Sequence, residues 1–371
     1  MENTINDRIT KIRSSMKEQD IDTLLVMVGE NRWYASGYTA EDTQFDESSG
    51  VLLISQERLL LATDARYDLQ AEHEAPDFEI ITYKKGPVKA LPDLLKELHT
   101  RRLGFESVRM TVLQFNELKQ ELEKQNGAVE LVPVQDIVEN LRLLKDPSEI
   151  DMLRTALHLA ESGFDKVKRM LTPGITEGEA AWHLEKVLKE DGADALSFPT
   201  IAAFGPNSAL PHAVPGGRKL QPGEPLLFDW GVRLEGYCSD ISRTLVMGEP
   251  ADPFRDVFQT VLDAQNKAID AIKPGVSGKA INAVARDHID SKGYKGKFGH
   301  GLGHGIGLAI HESPRLSPIK DDILEPGIVF TVEPGIYLPN WGGVRLENMV
   351  ALLDDGPVVL NSTSPDDNYI L

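Results

Sequence analysis

The stretch Gly299–Glu312 reads GHGLGHGIGLAIHE. It brings His300, His304 and His311, three of the chain's nine histidines, within a dozen residues. Four glycines lie between the first and last of them, a density that a helix does not tolerate. Glycine lets the backbone take φ > 0 or pass close to a ligand, so the spacing predicts a loop running into a short strand. Gly-spaced histidines beside the apolar Leu308, Ala309 and Ile310 read as ligands held at a buried edge. A flexible turn with incidental histidines is the weaker alternative. Histidine alone names no metal, and its partners must be sought elsewhere in the chain.

Carboxylates on either side supply them. Leu226–Gly231 (LLFDWG) puts Asp229 inside an apolar strand, where a lone charge is costly. Eleven residues on, YCSDISRT supplies Asp240, with Leu234-Glu235-Gly236 as the turn between. A hairpin folded at its midpoint would set Asp229 opposite Asp240, with Cβ atoms about 5 Å apart. The pattern recurs downstream. VFTVEPG holds Glu333, GVRLE returns Glu347 fourteen residues later, and Pro339-Asn340-Trp341-Gly342 is the turn. Any one of these acids is ordinarily a helix cap or half of a buried ion pair. Two facing pairs are different, because four clustered anions require cations. Four carboxylates and one imidazole suit two divalent ions such as Mn²⁺, Co²⁺, Zn²⁺ or Fe²⁺. With no thiolate cluster, a structural zinc site is not expected.

The remainder of the chain frames this site. Its 371 residues predict two domains with ample core. Hydrophobic content of 41% and charged content of 26% fit a soluble globular protein. A net charge of −19 argues against nucleic acid and anionic membranes as partners. The single Cys238 excludes an intrachain disulfide and fits a reducing compartment. The polar, amphipathic N-terminus has no signal-peptide core, and no apolar run is long enough to span a bilayer, so a cytoplasmic address is expected.

Strands are predicted at Ile21–Met27, Gly50–Ser55, Arg58–Thr63, Phe78–Tyr83 and Arg102–Glu106, with helices at Val88–Thr100 and Val112–Gln125. That alternation predicts an α/β domain over residues 1–140, with residues 141–371 forming the second domain. The first domain has no Gly-rich phosphate loop and reads as a structural or substrate-covering unit. Asn31-Arg32-Trp33-Tyr34 and Asp64-Ala65-Arg66-Tyr67 place arginines and aromatics in predicted loops. A long helix opens at Pro147-Ser148. Thr176 with Glu179 forms a capping box for the next. Ser197–Phe204 reads as a strand, and His212 follows it in a loop held between Pro211 and Pro215.

The ordered set Asp229, Asp240, His304, Glu333 and Glu347 resembles the two-metal site of the pita-bread peptidases: methionine aminopeptidase, aminopeptidase P and prolidase. The flanking segments SFPTIAAFGPNSALPHAVP, YCSDISRT, HGLGHGIGLAIHE, LEPGIVFTVEPGIY and GGVRLE are most similar to the aminopeptidase P/prolidase branch. NRWYASGY and TDARYDLQA resemble the N-terminal domain of that branch and of creatinase. The resemblance implies an α/β creatinase-like N-terminal domain and an α+β pita-bread catalytic domain. It implies two divalent ions, Mn²⁺ first among them, with Asp229 on one, His304 and Glu333 on the other, and Asp240 and Glu347 bridging.

It further implies a water activated by those ions, Glu333 as proton shuttle, and His212 and His311 as groups that position substrate and stabilise the oxyanion. His300 resembles a wall residue near the substrate. Arg345, two residues before Glu347, reads as an ion pair orienting a ligand carboxylate. Arg315 matches an arginine with which some prolidases hold a dipeptide's carboxylate. Asn348 departs from the family, which often has aspartate there; as a neighbour of a ligand it bears on metal tuning. The implied reaction is hydrolysis of Xaa-Pro bonds in small proline-containing peptides by a cytoplasmic homodimer, leaning to Xaa-Pro dipeptidase over aminopeptidase P. A metal-free creatinase-like hydrolase and a non-catalytic binding module rank below, because both usually lack part of the ligand set.

Overall fold

A computed structural model describes residues 4–42, 44, 47–124, 129–367 and 369–371. The chain divides into two compact units, Met1–Arg142 and Leu143–Leu371.

Unit 1 is built on a mixed six-stranded sheet. Its strands are β1 (Thr23–Val26), β2 (Val51–Ser55), β3 (Leu59–Thr63), β4 (Glu79–Thr82), β5 (Arg102–Glu106) and β6 (Glu130–Val134), in the order β4-β3-β2-β1-β5-β6. β1 is antiparallel to β2 and parallel to β5, and β1 and β2 are buried throughout, which is why they read as unbroken apolar runs. The helices Pro87–Glu97 and Val112–Lys124 pack on it through Leu91, Leu94, Leu95, Leu118 and Leu122. Gln125, the last residue of the predicted helix, lies outside the described residues.

The amphipathic N-terminal segment forms a helix, Ile5–Glu18, capped by Thr4 and Asp7. One feature differs from expectation. Asn31-Arg32-Trp33-Tyr34 lies within a helix, Gly29–Ser36, not in a loop. Its N-cap is Val28, with no side-chain cap to signal the start. Arg32 is fully buried there, donating to the carbonyls of Ala40 and Gly50 and pairing with Asp42 at 3.0 Å. It is therefore a structural cation of unit 1.

Unit 2 begins with the helix Pro147–Lys168, opened by an Asp146/Glu149 capping box, and Glu177–Glu190, opened by Thr176/Glu179. The predicted strand Ser197–Phe204 is shorter, Ile201–Phe204, and pairs with Pro225–Trp230, which pairs in turn with Ile241–Val246. A five-stranded sheet contains Gly303–Gly305, Glu312–Leu316, Val329–Val332, Asn348–Leu353 and Gly356–Val359; Gly335–Leu338 and Gly342–Arg345 extend its central hairpin. The helices Phe254–Asp270 and Gly278–Ile289 contribute Phe254, Val257, Val261, Ile281 and Ala285 to a core shared with Phe330, Val332, Ile336, Val344 and Leu346. Full burial of such side chains contributes about 1.5–3 kcal/mol each. The two-residue period of the strands then decides the site. With Phe330, Val332, Val344 and Leu346 in the core, Thr331, Glu333, Arg345 and Glu347 project to the opposite face. Among the described residues no helix is long and apolar enough to cross a membrane.

Candidate metal centre

Glu333 and Glu347 sit where one ladder hands over to the next. Val332 pairs with Asn348 and Gly335 with Arg345, a register that places the two glutamates opposite one another. The first hairpin is different. Its turn is the two-residue Glu235-Gly236, both with positive φ (46° and 83°), as a tight hairpin turn requires. Asp229 consequently faces Ser242. Asp240 is its diagonal neighbour two residues along, where side chains on one face still meet. The predicted face-to-face pairing of Asp229 with Asp240 is therefore wrong by one turn residue, although both still point into the same site.

His304 enters on the strand Gly303–Gly305 and is buried. The glycines flanking it allow close approach of neighbouring strands: a Cβ at Gly303 would lie 1.9 Å from the Thr331 carbonyl oxygen, and one at Gly305 2.0 Å from that of Ser313. Neither has a positive φ. His304 Nδ1 donates to the Gly305 carbonyl at 3.1 Å, leaving the Nε2 lone pair facing Asp240 Oδ2 at 3.4 Å and Glu333 Oε1 at 3.5 Å. Ligand atoms of Asp240, His304 and Glu347 lie within 4.8 Å of one another.

Asp229 stands beside this group with Oδ2 held at 2.6 Å by Arg345 Nη2. Arg345 is buried and spreads its other donors to Ser242 Oγ (2.8 Å), Tyr337 Oη (2.9 Å) and the Pro211 carbonyl (3.1 Å). Ser242 Oγ in turn donates to Glu347 Oε2 at 2.9 Å. His300 hydrogen-bonds Tyr337 Oη through Nε2 at 2.8 Å, so it belongs to the same chain of contacts.

Burial, and then the mutual repulsion of Glu347, Asp229 and Glu333, pushes the Asp240 carboxyl up; Glu347 is raised by burial and by Glu333 and Asp229. Burial lifts Glu333 to about 8, against the pull of Arg345. Burial drives His304 down to about 3 and His300 to about 4, so both imidazoles are neutral. Asp229 Oδ1 and Glu347 Oε1 are buried without a hydrogen-bond partner. Carboxylates that repel one another, two orphaned oxygens and a neutral imidazole with its lone pair turned inward form a donor set that divalent cations satisfy.

Three predicted residues remain: His311, His212 and Arg315. His311 packs edge-on against His304, ring centroids 4.4 Å apart, and its pKa is lowered by burial, Arg315 and His212. His212 is exposed on the loop whose Pro211 carbonyl Arg345 holds. Arg315 is the cross-strand partner of His304. The supporting residues Ser242, Thr331, Tyr337 and Gln265 escaped the sequence reading. Thr331 Oγ1 accepts from the His304 amide at 3.2 Å and lies 3.4 Å from Glu333 Oε1.

Residues 151–354 match the model of metallopeptidase family M24, and residues 8–144 match the creatinase/prolidase N-terminal domain. The chain belongs to metallopeptidase family M24. As an M24 protein it is a metal-dependent peptidase, and its two parts are a creatinase-type N-terminal domain and a pita-bread catalytic domain. It is 32% identical to the Xaa-Pro dipeptidase of Pyrococcus furiosus over 97% of this chain and 99% of that protein. The structure of an Xaa-Pro dipeptidase from Bacillus anthracis superposes with a TM-score of 0.92 at 37% identity, covering 99% of this chain and all of the other. An X-Pro aminopeptidase structure from Thermotoga maritima superposes at 0.87 with 34% identity, covering 98% of this chain and 100% of that one.

Proposed function

We propose that this M24 peptidase hydrolyses Xaa-Pro dipeptides with two divalent ions, Mn²⁺ being the working pair. The observation that carries the reading is the convergence of Asp240, His304, Glu333 and Glu347, with Asp229 alongside and two buried carboxylate oxygens left unpaired. Asp229 would hold one ion, His304 and Glu333 the other, and Asp240 and Glu347 both. When bound, the ions supply Lewis acidity for the scissile carbonyl and make a water acidic enough to attack near neutral pH.

The chain's own residues do the rest. Glu333, whose Oε1 faces His304 Nε2 at 3.5 Å, would take a proton from the attacking water and return it to the leaving nitrogen. His311 and His212, at the mouth, would hold the substrate carbonyl and the oxyanion that replaces it. His300 and Tyr337 wall the site and brace Arg345. The same reading carries a homodimer and a cytoplasmic location.

The choice of dipeptide rests on Arg315 and on the dipeptidase relatives. A dipeptide presents a free carboxylate directly after proline, and the Arg315 guanidinium has no ion-pair partner among the described residues. A planar guanidinium grips such a carboxylate with two hydrogen bonds, worth about 1.5–3 kcal/mol, or roughly ten- to a hundredfold in kcat/KM. A panel of Xaa-Pro dipeptides against Xaa-Pro-Yaa peptides with Mn²⁺ tests the reading. Arg315→Ala is expected to cut dipeptide cleavage by that factor and spare the longer peptides. Equal losses on both, or none on the dipeptide, favour the aminopeptidase alternative, to which the Thermotoga likeness lends support.

A further inference from the structure

Gln265 lies on the helix Phe254–Asp270, fully buried beneath the strands that carry Glu333 and Glu347. Its Nε2 donates at 2.9 Å to the Val332 carbonyl and at 2.9 Å to the Leu346 carbonyl. These two residues immediately precede Glu333 and Glu347. One side-chain amide thus ties together the two peptides from which the paired carboxylates project.

The local sequence explains why a side chain is needed. In the register that runs from Val332–Asn348 to Gly335–Arg345, Pro334 faces Leu346. Residues so placed ordinarily exchange two N–H···O bonds. Pro334 has no N–H to give, so the Leu346 carbonyl loses its ladder donor. The reverse bond, Leu346 N to Pro334 O, is long at 3.4 Å. The neighbouring amides point away from the gap: Glu333 N donates to Leu302 O at 2.7 Å and Glu347 N to Ser242 O at 3.1 Å. The hairpin is therefore weakly stitched where its two carboxylates must keep a set separation, and Gln265 spans that gap. The amide does so with its own Oε1 buried and unpaired, an arrangement that commits the side chain to donation.

We propose that Gln265 is a positioning residue of the metal centre, replacing the N–H that Pro334 lacks and thereby fixing the distance between Glu333 and Glu347. This rests on reading the site as a metal centre. A simple packing role for Gln265 makes a different prediction, and a double-mutant cycle separates the two. Gln265→Met keeps the length and removes both donors. Pro334→Ala restores a backbone N–H opposite Leu346.

Mn²⁺ affinity of the metal-stripped full chain is measured by titration calorimetry, alongside kcat/KM. Gln265→Met is expected to weaken Mn²⁺ binding by about 10- to 100-fold, the range for partners that orient a metal ligand. Pro334→Ala alone is expected to change little, and the combined variant to recover most of the loss. Wild-type Mn²⁺ affinity in Gln265→Met, or no recovery in the combined variant, overturns the assignment in favour of packing. If Gln265→Met does not fold, Gln265→Glu, which keeps the shape but gives up at least one donor, takes its place, and unchanged Mn²⁺ affinity there likewise overturns it. Wild-type protein that takes up no Mn²⁺ overturns the metal reading itself and this inference with it.

Discussion

Arg345→Met tests the electrostatic logic of the site. Arg345 is the cation built into the carboxylate group: it bonds Asp229 at 2.6 Å and is itself buried. Removing it leaves Asp229, whose side chain is 14% exposed, without its counter-ion and strips donors from Ser242, Tyr337 and the Pro211 carbonyl. Breaking a buried pair by deleting one partner costs about 3–5 kcal/mol, because the other charge stays behind. In the metal-free protein that cost is expected in full. With divalent ions bound, the added positive charge offsets part of it, so the loss shrinks.

The assay is urea denaturation of wild type, Arg345→Met and Arg345→Lys, each metal-stripped and Mn²⁺-loaded. Lysine keeps the charge without the fork and is expected to fall between the other two. For a domain of 150–250 residues each kcal/mol corresponds to roughly 2–4 °C in Tm, so calorimetry should follow the same order. A metal-free loss below about 1 kcal/mol, or a larger loss in the loaded form than in the stripped one, would refute the reasoning.

Three further outcomes follow from the same geometry. Asp240→Ala or Glu347→Ala is expected to lose metal and nearly all activity with unit 1 still folded; full metal content by elemental analysis in either variant removes it from the ligand set. His212→Ala and His311→Ala are expected to keep metal and lower kcat by about 10²–10³, the usual effect of one oxyanion donor, and unchanged kcat on an Xaa-Pro substrate dismisses that histidine. Metal affinity should rise with pH toward about 8, because below that value Glu333 holds a proton that binding must expel; titration in buffers of different ionisation enthalpy should detect the released proton at pH 7, and a buffer-independent heat would count against it.

The second hairpin was legible because its turn lies at the midpoint between Glu333 and Glu347, and a period of two carries that symmetry through both ladders. The first was misread by one residue. Whether a loop closes as Leu234-Glu235-Gly236 or as Glu235-Gly236 alone depends on two positive φ angles, and the cross-strand partner of Asp229 changes with it. Arg32 was misplaced because a short helix without a polar N-cap looks like a loop in sequence. Ser242 and Gln265 were invisible for another reason: their partners lie 105 and 81 positions away, at Glu347 and Leu346. Pro334, at the break between the strands Val329–Val332 and Gly335–Leu338, is the one local clue, since a proline has no N–H to give the carbonyl facing it.

The site draws on segments from Asp229 to Glu347, stitched across strands that do not adjoin in sequence. If these residues hold the ions as proposed, losing any one segment would dismantle the group, and ion binding would be coupled to the integrity of the catalytic unit. At an ion concentration a hundredfold above Kd, the open fraction falls about a hundredfold. Where opening and closing are fast, cleavage by a protease tracks that fraction. On that reading the persistence of the polypeptide would follow its ion supply: molecules without ions would be digested first, and the survivors would be enriched in loaded enzyme.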